Sequence, residues 1–94
     1  MKSYGKGDEN MIFEDVWKKI IFNEGQAFNT KTGKEFKYSI INNALITSVT
    51  DYKLSKSNFE KAFMMLPLDG PGQISKLVRG PAYVWAILND KRIK

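Results

Sequence analysis

The chain has 94 residues, 43% of them apolar and 27% charged, the proportions of one small globular domain rather than two domains or a disordered segment. It holds no Cys and no His, which removes disulfides, thiol nucleophiles, histidine bases and the usual zinc, iron and copper sites. Fifteen Lys+Arg against ten Asp+Glu give a net charge of +5. That excess falls wholly in residues 36–94, with nine basic and four acidic side chains, because residues 1–35 carry six of each.

A basic half favours anionic partners such as nucleic acid. Thirteen of the fifteen cations are Lys and two are Arg, and Arg is the residue enriched at specific phosphate and base contacts. The composition thus points to electrostatic contact more than to base reading. The longest apolar run, Ala82–Leu88, is seven residues, against the ~20 needed to span a bilayer. No membrane partner is expected. A charged start without an apolar stretch does not read as a signal peptide. With no Cys, the expected compartment is the cytoplasm. Abundant Lys, Ile and Asn hint at an AT-rich coding sequence and a bacterial or phage origin.

Residues 1–10, MKSYGKGDEN, are polar and Gly-containing and read as a flexible arm. Residues 11–94 read as a single domain. Asn10–Asn23 predicts a helix: Phe13, Val16, Trp17, Ile20 and Ile21 share one face, Asn10 offers an N-cap and Gly25 a stop. Gln26–Thr30, Lys34–Ile41 and Ala44–Val49 predict a three-stranded antiparallel meander. Lys31-Thr32-Gly33 forms its first turn and Asn42-Asn43 a two-residue loop tolerant of positive φ. Along the second strand Phe36, Tyr38 and Ile40 alternate with Lys37 and Ser39.

Ser55–Leu66 predicts a second helix, capped by Ser57 with Glu60 or by Ser55 with Leu54 stapled onto Phe59, and ended by Pro67. Leu68–Gln73 is a Gly/Pro turn, and Ile74–Val78 one helical turn. Gly80-Pro81 opens a third, buried helix, and Asn89–Lys94 is a basic tail. The order α-β-β-β-α-α implies a small α+β domain, a three-stranded antiparallel sheet with two or three helices. Trp17, Ile20, Phe36, Tyr38, Ile40, Phe59, Phe63, Leu66, Val84 and Ile87 are its expected core.

No Ser or Thr has an evident base, so nucleophilic catalysis lacks its activating partner. Glu35-Phe36-Lys37 has the acid-x-lysine pattern of metal-dependent nucleases. That chemistry needs a second carboxylate on a neighbouring strand, and Gln26–Thr30 supplies none. Thr30–Lys34 contains Gly-Lys without the phosphate-loop spacing, and Asp69–Gly72 has too few acids for a calcium loop. A helix-turn-helix reading of Ile74–Leu88 fails because Ala82–Leu88 presents almost no polar side chain to base edges. The protein is therefore expected to be no enzyme, with no metal and no cofactor.

Arg79-Gly80-Pro81-Ala82-Tyr83 places an arginine at a helix start, where free N–H groups and the helix dipole receive anions. The expected nucleic-acid or anion-binding residues are Lys53, Lys56, Lys76, Arg79, Gly80, Tyr83, Lys91 and Arg92, with Tyr52 beside them for stacking. The second reading is a protein-interaction or homodimerising module. It rests on an aromatic surplus (Trp17, Phe22, Tyr38, Tyr52, Trp85) beyond what one sheet layer must bury.

Overall fold

The computed structural model describes residues 12–94. The N-terminal arm and its Asn10 lie outside them. Helix α1 runs over Phe13–Phe22, and its N-cap position is Ile12, which makes no side-chain cap bond. The N-cap position therefore falls at Ile12 and not at the expected Asn10, and α1 begins at Phe13, the first residue of its apolar stripe. Phe13, Val16, Trp17 and Ile20 are buried, while Ile21, at the rim of that stripe, is exposed.

Five short strands follow: β1 (Phe28–Asn29), β2 (Glu35–Phe36), β3 (Tyr38–Ile41), β4 (Ala44–Thr47) and β5 (Lys53–Ser55). They form a two-stranded β1-β2 hairpin and a three-stranded antiparallel meander, β3-β4-β5. The meander is present but lies one strand later than expected. The expected second strand divides at Lys37, whose N–H bonds the Ser48 hydroxyl (3.0 Å) and whose carbonyl accepts from Ser48 N–H (2.8 Å). The first half of that strand pairs with β1 and the second half with β4. Its alternation survives, with Phe36 and Tyr38 buried and Lys37 and Ser39 exposed.

Asn42 and Asn43 take φ of 48° and 61°, the left-handed pair that a two-residue hairpin between right-twisted strands requires. The outer edge of β3 is closed: Gly25 N–H donates to the Tyr38 carbonyl (3.0 Å) and Ile40 N–H to the Glu24 carboxylate (2.8 Å). A covered edge cannot template pairing with another chain.

Helix α2 spans Lys56–Phe63 and is capped by Ser55, whose hydroxyl accepts from Asn58 N–H at 3.1 Å. Of the two overlapping start signals, the earlier one prevails. The helix stops short of Pro67, and Leu66 and Phe63 pack half-buried against the core. A 3₁₀ turn, Pro71–Ile74, leads to α3, Pro81–Leu88. Gly80 caps α3 in the left-handed conformation, with Pro81 at the first position, as the Gly-Pro pair predicts.

Among the described residues three helices and two antiparallel sheets enclose one hydrophobic cluster, an α+β fold. Phe28, Leu45, Leu54, Ile74, Leu88 and Ile93 join the expected core residues. Ile93 corrects the reading of Asn89–Lys94 as a tail: Ile93 N–H bonds the Asp90 carbonyl (2.9 Å), and its side chain is fully buried. Trp17 and Tyr38 are buried and Tyr52 and Trp85 half-buried, so of the five surplus aromatics Phe22 alone, 87% exposed, stands out in solvent. Among the described residues no helix is long and apolar enough to cross a membrane.

Candidate functional site

The junction of β5, α2 and α3 gathers five of the relevant residues. Arg79 lies with its guanidinium carbon 4.5 Å from the Tyr52 ring centroid, a cation–π stack. Its backbone is held from below by Asn58, whose side-chain amide donates to the Arg79 carbonyl (2.8 Å) and accepts from the Arg79 N–H (2.9 Å). Gly80 follows at φ 60°, and a Cβ there would come within 3.0 Å of Leu54 and 3.5 Å of the Tyr52 hydroxyl. Glycine is therefore required twice over, by conformation and by space. Lys53 is exposed on β5, next in the chain to Tyr52. Among the described residues the Arg79 guanidinium makes no ion pair and donates no hydrogen bond. Its planar fork is exposed above the tyrosine.

The remaining expected residues are placed differently. Lys56 begins α2, but its ammonium pairs with the Glu14 carboxylate at 3.0 Å and sits 6.0 Å from the Trp17 ring. Tyr83 packs edge-on against Phe36, with centroids 5.0 Å apart, and serves the core more than the helix start. Arg92 chelates Asp90, with Nε to Oδ1 at 2.8 Å and Nη2 to Oδ2 at 2.9 Å. It also donates to the Ala27 carbonyl at 2.8 Å and lies 3.9 Å over the Phe28 ring. The Arg92 hydrogen bonds hold the Asp90 carboxyl below its ordinary range, and Asp90 in turn raises the guanidinium. This arginine is a fastener between the C-terminal turn and β1. Lys91 is exposed on that turn.

Lys76 lies elsewhere again. With Met65, Gly72, Gln73, Ser75 and Leu77 it lines an open groove of about 400 Å³ between the end of α2 and the turn before Arg79.

Glu35 faces Asn29 across the β1-β2 pair, so its strand partner offers an amide where a two-carboxylate metal site needs an acid. Thr30–Lys34 is the connecting turn, closed by Thr30 N–H to the Lys34 carbonyl and Gly33 N–H to the Thr30 carbonyl, both 2.9 Å. Asn58 is the residue that sequence reasoning left out. It sits in the capping-box run Ser57–Glu60, but its partner is 21 residues away, and no local pattern marks a bond of that range.

Comparison with protein-family models, curated proteins and solved structures finds no match to this chain.

Proposed function

We propose that the protein is a small non-enzymatic binding module that contacts nucleic acid through phosphates, centred on Arg79 and Lys53. The observation that carries this reading is the Arg79 platform. A guanidinium stacked on a tyrosine and anchored through its own backbone has already lost much of the freedom that a phosphate contact would cost. Its fork matches phosphate oxygens bidentately. The +5 charge confined to residues 36–94 supplies the long-range attraction. Lys56 and Arg92 are engaged by carboxylates and contribute to that field more than to contact. The lack of cysteine supports a cytoplasmic setting, and the Lys-, Ile- and Asn-rich composition a bacterial or phage origin.

The test separates the charge from the shelf that holds it. Labelled duplex and single-stranded oligonucleotides are titrated by fluorescence anisotropy. Arg79→Gln is expected to weaken binding about tenfold. Tyr52→Leu, which keeps every charge, is expected to weaken it severalfold through lost preorganisation. Equal affinity for wild type and both variants would remove the platform from the binding face.

A further inference from the structure

A second surface lies at the end of α2. Met64 and Met65 are 74% and 50% exposed and Leu77 is 44% exposed. Small domains seldom leave several large apolar side chains together in water without a partner. Met64 continues the helical geometry of α2 (φ −66°, ψ −15°), and Met65 N–H bonds the Ala62 carbonyl at 2.9 Å. Lys61, exposed in the last turn of α2, is therefore the i−3 and i−4 neighbour of these two methionines. Across the groove Lys76 is, among the described residues, the one charged residue of its lining, beside Leu77. A flexible thioether in the same groove as Lys76, and one helical turn from Lys61, makes an adaptable apolar floor with cationic neighbours.

We infer that the groove between the end of α2 and residues 72–77 docks an acidic, apolar peptide segment of a partner protein. Apolar side chains of the segment would cover Met65 and Leu77, and its carboxylates would meet Lys61 and Lys76. Charge complementarity selects this occupant: a second copy of a chain carrying +5 would bring like charge to a lysine-flanked groove. The inference stands apart from Arg79 and does not rest on the nucleic-acid reading.

The test is selection of random twelve-residue peptides, displayed on phage, against the immobilised full chain. Met65→Glu/Leu77→Glu serves as the counter-target and Lys61→Glu/Lys76→Glu as a second target. All four positions are on the surface, and circular dichroism checks that the variants remain folded. Enriched peptides should combine Asp/Glu with Leu, Phe or Met. They should lose at least tenfold in affinity on the first variant, and the charge-reversed second variant should select Lys/Arg-rich peptides instead. No enrichment over bare support, equal binding to the apolar variant, or an unchanged acidic consensus on the reversed variant would overturn the inference. So would concentration-dependent dimerisation, lost in Met65→Glu/Leu77→Glu, because the occupant would then be a second copy.

Discussion

Asn58 and Arg79 are joined by two hydrogen bonds of opposite sense, amide N–H to carbonyl at 2.8 Å and backbone N–H to amide oxygen at 2.9 Å. One side chain thereby satisfies both backbone groups of the residue before the α3 cap, fixing the start of α3 to the start of α2. The same Asn58 has its own N–H tied to Ser55. The cap of α2 and the position of the Arg79 guanidinium are thus one mechanical unit.

Asn58→Ala should therefore do more than its exposure suggests. Losing both bonds costs on the order of 1–3 kcal/mol, at about 0.5–1.5 kcal/mol per bond. Urea unfolding measures the stability, and oligonucleotide affinity should fall although no charge has changed. A variant of wild-type stability would mean that solvent replaces the clamp.

Gly80→Ala should destabilise by roughly 2–3 kcal/mol, adding a left-handed alanine to a Cβ 3.0 Å from Leu54. Gly33 gives the control. It is also left-handed (φ 92°), but a Cβ there meets nothing within 4 Å, so Gly33→Ala should cost only about 1 kcal/mol. Thermal melts of the two variants isolate the steric contact with Leu54.

Tyr38 donates its buried phenol to the Ile20 carbonyl at 2.6 Å, and burial pushes its ionisation well above the ordinary tyrosine value. Its folded pKa lies above the unfolded one. The stabilisation is therefore complete below about pH 10 and declines as pH rises beyond it. Tyr38→Phe should lose about 1 kcal/mol at neutral pH through the missing hydrogen bond, yet unfold less steeply between about pH 10 and 11. Parallel alkaline limbs in the two proteins would contradict this.

Asp90 behaves in the opposite direction. Arg92 holds its folded pKa below the unfolded value, so its contribution is complete above about pH 4 and fades as pH falls through the folded pKa. The Arg92 side chain is 38% and the Asp90 side chain 23% exposed, so solvent still screens the pair in part and the stake stays small. Asp90→Asn should cost less than about 1 kcal/mol at pH 7, and wild type and variant should converge in melts taken towards pH 2. A difference that persists in acid would assign the loss to packing instead of charge.

The parts of the fold carried by local chemistry were legible in the sequence. Asn42-Asn43 announces its hairpin, Gly80-Pro81 its helix start, and the Phe13–Ile20 stripe its buried face. β5 was not legible, because Lys53–Ser55 shows one buried residue, Leu54, and three residues hold no period. Ile93 was hidden by its charged neighbours, and the break at Lys37 by an alternation that continues through it. At the candidate site the cations are visible as residue types, but which of them are engaged depends on contacts that the local pattern does not mark. Glu14 engages Lys56 and Asp90 with Ala27 engages Arg92, whereas Asn58 and Tyr52 hold Arg79 up without neutralising it.

The most direct measurement compares two variants of equal net charge, Arg79→Gln and Lys18→Gln, in anisotropy titrations of a labelled duplex over a range of salt. Lys18 is exposed on the outer face of α1. The account predicts saturable wild-type binding whose log affinity falls linearly with log salt, with a slope of a few phosphates. Arg79→Gln should reduce that slope by about one, and Lys18→Gln should leave it nearly unchanged. Identical slopes in the two variants, or no binding by the wild type at low salt, would contradict a site at Arg79.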